Sequence, residues 1–310
     1  MPALICGSMA YDTIMVFPGR FGDQIHPQRI HILNVSFLVP ELRREYGGCA
    51  GNIAYNMKLL GSAGTPMATV GLDYTPYRLW LEDNGIPTSY LREIDGSYTA
   101  QAYITTDLDD NQITAFHPGA MAHAHEQAVP ADAGFAIGMI SPDGRDGMRE
   151  HALQFAEAGI PFVFDPGQGL PMFDGHELNR FLELASWVTV NDYESSMLEQ
   201  RTELSATQIA DRVRAYIVTR GAAGSRIHTQ DGVIEIPSAK PEAVTDPTGC
   251  GDAYRAGLLH GLLNDMDLGT TGRIASLMGA IKVASHGTQN HSFTPDEFGD
   301  AFRANFDYAL

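Results

Sequence analysis

The sequence predicts an α/β fold with a mainly parallel sheet covered by helices, and three observations carry that expectation. Short β-rich runs alternate with helical stretches along most of the chain. The 310 residues are 44% hydrophobic and contain no low-complexity tract, which is enough for one large core or two smaller ones. Two regions break the alternation and read as extended, which adds a small antiparallel layer to the main sheet.

The parallel-type strands are expected at residues 3–6, 65–70, 135–140, 161–164, 187–190 and 216–219. Helical patterns fall at about 48–61, 76–85, 145–158, 175–185, 205–214, 250–264 and 268–285. Residues 99–116 read as a hairpin, because 101–106 and 112–116 flank the turn-rich Leu108-Asp109-Asp110-Asn111. Residues 12–45 read as extended, and with the hairpin they could form a lid. A second hairpin, 225–229 with 233–236 around Asp231-Gly232, comes late enough to border a ligand site. No internal repeat or long linker divides the chain, so one domain over 1–310 is expected.

Charge and cysteine usage exclude several classes. With 38 acidic against 20 basic residues, a formal charge of -18, the surface would repel a nucleic-acid backbone. The first residues offer only the short apolar run Leu4-Ile5-Cys6, and no later stretch reaches membrane-spanning length, so a cytoplasmic protein with no membrane partner is expected. Cys6, Cys49 and Cys250 lack zinc-site spacing and are expected as free thiols. None of the three lysines, Lys58, Lys240 and Lys282, completes a GxxxxGK[ST] pattern, which excludes a Walker P-loop. Phosphate would have to be held by backbone N–H groups, helix dipoles, arginines and a divalent cation.

The sharpest motif is Asp246-Pro247-Thr248-Gly249-Cys250-Gly251-Asp252, which feeds a helix rich in small residues. A glycine-rich turn entering a helix leaves unpaired N–H groups at the positive end of the dipole, and that is an anion cradle. Asp252 stands in the first turn, where a carboxylate can accept a proton from an attacking hydroxyl or simply cap the helix. The Cys250 thiol shares the dipole that favours thiolate, opposed by Asp246 and Asp252. The pattern is not a dinucleotide fingerprint, because the third glycine position is Tyr254.

Four weaker motifs accompany it. Gly47-Gly48 permits close backbone approach to a ligand or a plain helix entry, with Asn52 as a polar group in the first turn. Asp12 follows the first strand, where open α/β sheets bind ligands and where an Asp can take two vicinal hydroxyls. Asn191 and Glu194 offer oxygens to Mg²⁺ or to its water shell, and they also have the spacing of a capping box. Thr219, Arg220, Gly221 and Gly224 end a strand in a turn that could meet ATP.

Taken in this order, the five motifs resemble the ribokinase-like, or PfkB carbohydrate kinase, family over nearly the whole chain. The resemblance implies a three-layer α/β/α fold with a small β lid, formed by segments at about 12–45 and 97–120. It implies a kinase using ATP and Mg²⁺, with Gly249, Cys250 and Gly251 as anion hole and Asp252 as base. Asp12, Gly48 and Asn52 would hold substrate hydroxyls, Asn191 and Glu194 would organise Mg²⁺, and Thr219 to Gly224 would border ATP. Potassium activates many members through the segment beside the anion hole.

Within the family, the segments around Gly7-Ser8, Ser36-Phe37 and Phe116-His117-Pro118, with Asp165-Pro166-Gly167-Gln168, look most like bacterial adenosine and nucleoside kinases. Ser8, Ser36, Phe116 and Gln168 match their nucleoside-contacting positions. Gly169 stands where a second Gln can occur in adenosine kinases, which leaves room for inosine or guanosine. A purine nucleoside 5′-kinase, monomeric or homodimeric, is therefore expected, with a sugar kinase of the same family as the nearest alternative and a ligand-binding regulator without turnover as a more distant one.

Overall fold

The computed structural model describes residues 1–25, 34–109 and 111–310. Its main sheet has nine strands in the order β13-β12-β11-β10-β9-β8-β1-β4-β5. The seven strands from β11 to β5 are parallel: β11 (Ala215–Thr219), β10 (Trp187–Asn191), β9 (Phe162–Phe164), β8 (Ile137–Ile140), β1 (Ala3–Cys6), β4 (Gly64–Val70) and β5 (Tyr90–Glu93). An antiparallel hairpin, β12 (Ser225–Thr229) and β13 (Gly232–Ile236), finishes one edge. All six expected parallel strands are present within two residues of their expected ends, and β5 was not foreseen.

Alternating strand residues face two different cores, as period-2 side-chain direction requires. Ala3, Ile5, Met139, Val163 and Ile217 face one layer, made by α2 (Cys49–Leu59), α3 (Thr75–Asp83), α8 (Cys250–Leu263) and α9 (Leu268–Val283). Leu4, Cys6, Ile140, Phe164, Val188 and Val218 face the opposite layer, made by α4 (Arg145–Glu157), α5 (Gly175–Leu184), α6 (Asp192–Thr202) and α7 (Ala206–Ala210). The inner strands are buried on both faces, which explains their nearly continuous apolar sequences. A final helix, α10 (Pro295–Phe306), covers α9 through Phe298 and Phe302.

Two helices outside the small sheet were not expected from periodicity, although the capping box of Asn191 and Glu194 marked the start of α6. Along α6 only Ser195, Leu198 and Thr202 are buried, so the apolar stripe that marks a helix is nearly absent. α10 carries a readable start, Thr294 and Glu297 in a capping box with Pro295 at the first position, followed by Phe298 and Phe302 four apart. Among the described residues no helix is long and apolar enough to cross a membrane.

The second sheet has four strands, β3 (Glu41–Gly47), β2 (Ala10–Val16), β6 (Ala100–Thr106) and β7 (Gln112–His117), in the order β3-β2-β6-β7. The hairpin of β6 and β7 forms where expected. β2 pairs with β6 in parallel, however, so the layer is mixed rather than antiparallel. The stretch 12–45 is also not uniformly extended: the short helix α1 (Phe21–Gln24) interrupts it, with Phe17, Phe21 and Phe37 clustered ring on ring. The part of that expectation covering residues 26–33 lies outside the described residues.

Candidate active site

The loops after β1, β8, β9, β10 and β11 gather at the carboxyl edge of the main sheet, where open α/β sheets bind ligands. A cleft of about 530 Å³ lined by Ser186, Arg212, Arg214 and Gln230 lies at the opposite edge, away from every motif residue.

α8 enters this edge through Gly249, whose φ of 80° is left-handed. A side chain there would be strained and would come within 2.9 Å of Thr288 Cγ2, so glycine is required twice over. The Cys250 N–H donates to the Pro247 carbonyl at 3.2 Å. Among the described residues the N–H groups of Gly249, Gly251 and Asp252 have no such partner, so the free donors of the cradle are these three. Burial pushes the Cys250 thiol up to about 11, and this overrides the thiolate-favouring dipole expected from sequence.

Asp252 is gripped from several sides. Asn52 Nδ2, in the first turn of α2, donates to Asp252 Oδ2 at 2.8 Å. Gln289 Nε2 donates to Asn52 Oδ1 at 2.9 Å, and Gln289 Oε1 accepts from Trp80 Nε1 at 2.9 Å. The indole can only donate, so this chain sets which end of each amide faces Asp252. One turn along α8, the buried Arg255 forms a bidentate pair with the buried Asp165, both contacts at 2.9 Å. Burial pushes the Asp252 carboxyl up to about 6, as does Asp165, while Asn52 and Arg255 oppose the shift. The carboxylate is thus ionised at neutral pH yet more basic than usual, as a general base should be.

The sequence reading missed Asp165, Arg255 and Gln289 as site residues. Each is common in an unremarkable local setting, and only pairing across the fold marks it.

The hydroxyl-binding candidates meet at the base of the small sheet. Gly48, at φ 88°, passes so close to Ser8 and Ala10 that an added Cβ would lie 2.5 Å from the Ser8 carbonyl oxygen. The Ser8 hydroxyl accepts from Cys49 N–H at 3.2 Å, so Ser8 helps to build the entry to α2. Asp12 lies against Gly47, where an added Cβ would come 2.6 Å from Asp12 Oδ2. Burial, then Glu45 and Asp246, push Asp12 up to about 6. Glu45, Asp12, Ala102 and Phe116 are successive partners across the four strands, so their side chains share one face. Phe116 is 53% exposed on that face, and its ring has no core to fill.

Gln168 is exposed on a short 3₁₀ turn directly after Asp165, and Ser36 is exposed in the segment before β3. No hydrogen bond joins either side chain to Asp252 or Asp12 among the described residues. Gly169 is buried against Met148 and Met172, 3.1 to 3.3 Å from where a Cβ would stand, so a larger side chain there would displace them.

On the other side of α8, Asn191 and Glu194 form a reciprocal capping box at the start of α6, both bonds 2.8 Å. Only Glu194 Oε2 is used, so Oε1 is left for the water shell of a cation. Burial first, and Asp165 next in the same sense, raise the Glu194 pKa, with the Asn191 backbone opposing. Thr219 is the β11 partner of Asn191, and Thr219 Oγ1 donates to the Val190 carbonyl at 3.3 Å. Arg220 pairs with Glu235 at 2.7 Å, while its buried Nε–H has no partner among the described residues. Gly221 and Gly224 are both left-handed, and a Cβ on Gly224 would strike the Ile236 carbonyl. Ser225, next in line, bonds Tyr254 of α8 at 2.8 Å, which ties this border to the helix that carries Asp252.

Comparison with known proteins agrees with this geometry. Residues 11–296 match the pfkB family carbohydrate kinase pattern, and the chain belongs to that family. It is an ATP-dependent kinase that phosphorylates a hydroxyl group. It is 33% identical to a nucleoside kinase of Methanocaldococcus jannaschii over 85% of this chain and 87% of that one. It is 31% identical to a nucleoside kinase of Methanothermobacter thermautotrophicus over 96% and 97%. The solved structure of Burkholderia thailandensis nucleoside kinase in complex with inosine superposes with a TM-score of 0.89 at 50% identity, covering 99% of both chains.

Proposed function

We propose that the chain transfers the terminal phosphoryl group of ATP to the 5′-hydroxyl of a purine nucleoside: adenosine, inosine or guanosine. The observation that carries this reading is Asp252, basic for a carboxylate and held at 2.8 Å by Asn52, beside a cradle of free N–H groups. The row running from Asp12 to Phe116 faces the ligand side and supplies a carboxylate for sugar hydroxyls with an aromatic face beyond it. A planar base gains more from that aromatic face than a free sugar does, which sets the sugar-kinase alternative second.

In the proposed mechanism Asp252 accepts the proton of the attacking hydroxyl, and the amides of Gly249, Gly251 and Asp252 stabilise charge on the transferring group. Asn191 and Glu194 would hold Mg²⁺ through water, and the ion would neutralise charge on the ATP phosphates when bound. Arg220, Gly221 and Gly224 border the nucleotide. The small sheet of β3, β2, β6 and β7 would act as a lid; its closure would exclude water and suppress ATP hydrolysis. Ser8, Ser36 and Gln168 complete the nucleoside side, with Gln168 offering both donor and acceptor to a base edge.

The test is ADP release across a panel of purified nucleosides, ribose and fructose, for wild type and Asp252→Asn. A purine nucleoside should be preferred, and the variant should keep its fold while turnover falls by roughly 10²- to 10⁴-fold. Preference for a free sugar would defeat the nucleoside assignment alone, and a fully active Asp252→Asn would remove the base.

A further inference from the structure

The segment beside the cradle, where potassium acts in many relatives, already contains a cation belonging to the chain. Lys282 lies in the last turn of α9 and is fully buried. Its Nζ donates to the Asp246 carbonyl at 2.8 Å and to the Ser285 carbonyl at 3.0 Å. Those carbonyls belong to the two segments that flank the cradle, one leading into α8 and the other following α9. The Asp246 carboxylate is engaged as well: Oδ1 accepts from Thr248 N–H at 2.9 Å and Oδ2 from Gly287 N–H at 3.0 Å. A potassium ion at these two carbonyls would need the place that the ammonium already fills between them. A second positive charge would also be repelled by the ammonium.

We propose that the ammonium of Lys282 is the resident monovalent cation of this kinase, joining the two segments and adding fixed positive charge behind the phosphate cradle. An ammonium group and a potassium ion are similar in size and bind carbonyl oxygens at similar distances. The position is favourable on two further counts. The carboxyl end of α9 carries the negative end of its dipole, which stabilises a cation. That same end touches the start of α8, since an added Cβ on Gly279 would stand 3.6 Å from the Cys250 carbonyl oxygen. The sequence reading passed over Lys282 because it completes no P-loop, although the structure sets it next to the cradle.

The proposal rests on the cradle as phosphate site, and a stability measurement keeps the two separable. Activity and thermal unfolding are compared in about 100 mM KCl and in choline chloride of equal ionic strength. Wild type should show equal rates and equal Tm in both. Lys282→Met should lose about tenfold or more in rate in choline, and KCl or NH₄Cl should restore both rate and Tm. Strong potassium activation of wild type would overturn the proposal, whatever the variant does. So would a Lys282→Met protein that is fully active in choline, or one that stays folded but is restored by neither ion. A Tm response to potassium confined to the variant, with no rate response, would support the cation site while removing the contribution of its charge to turnover.

Discussion

The neighbourhood of Asp252 and the face of the small sheet, the two halves of the proposed site, are of opposite construction. Around Asp252 the side chains are committed: Asn52, Gln289 and Trp80 form one chain of hydrogen bonds, and Arg255 with Asp165 a separate buried pair, all between 2.8 and 2.9 Å. On the ligand-side face of the small sheet, Phe116 is 53% exposed. A fixed network keeps a base in one orientation without reorganisation during reaction, while a bare face gains its contacts only when something covers it. The difference teaches that chemistry and recognition are held by separate parts, and that substitutions in the two parts should fail differently.

The largest effect is expected from breaking the buried pair. Arg255→Leu leaves Asp165 charged and unpaired beside Asp252, which should cost about 3 to 5 kcal/mol of stability along with most of the activity. Thermal unfolding and ADP release measure the two losses. A variant as stable as wild type would show that the pair does not organise this region.

On the small sheet the losses should separate. Phe116→Ala should raise KM for a purine nucleoside by about one to two orders of magnitude, roughly 1.5 to 3 kcal/mol of lost contact, with stability changed by less than about 0.5 kcal/mol. Residual ribose phosphorylation should change much less. Equal losses for nucleoside and ribose would make Phe116 part of the general scaffold.

A third difference is pH dependence. Burial pushes Asp252 and Asp12, one in each part, up to about 6, and the proposed mechanism needs both ionised. kcat/KM should therefore fall as pH drops through about 6, with a limb steeper than a single proton gives. Asp12→Asn, which retains residual activity if Asp12 only orients hydroxyls, should return the limb to one proton. An unchanged limb would remove Asp12 from the titration.

A prediction outside both parts concerns Asp143, a fully buried carboxyl just past β8 with Oδ2 unpartnered among the described residues. Burial pushes it up to about 8 from its usual 3.8, so the fold favours its protonated form. Its contribution to stability is complete below 3.8, declines as pH rises through the window up to about 8, and is lost above. Wild-type Tm should therefore decline across that window relative to Asp143→Asn and run parallel to it above. Parallel curves throughout would place the titration elsewhere.

Much of the site was legible because its signals are local. The Gly249 turn must be left-handed and Asp252 must follow it, whatever surrounds them, and the capping box at Asn191 and Glu194 forms from residues three apart. The proposed Mg²⁺ role of that pair is compatible with the cap, since the cap uses only one Glu194 oxygen. Phe116 was legible as the end of a hairpin strand, but the row it shares with Asp12 was not, because a parallel pairing of β2 with β6 has no signature in either strand.

The alternation of apolar runs determined the layered α/β architecture, since a strand buried on both faces must be apolar throughout, and the glycine-rich turns determined where an anion could be cradled. Only the tertiary structure decided how the base is held. Asn52 and Asp252 are 200 positions apart, Gln289 and Asn52 are 237 apart, and Arg255 and Asp165 are 90 apart. It also turned Lys282, one of three lysines with no motif around it, into a buried charge shared by two carbonyls. Local sequence specifies backbone conformation through sterics and side-chain period; a hydrogen bond between distant segments depends on the packing that brings them together, and no spacing along the chain records it.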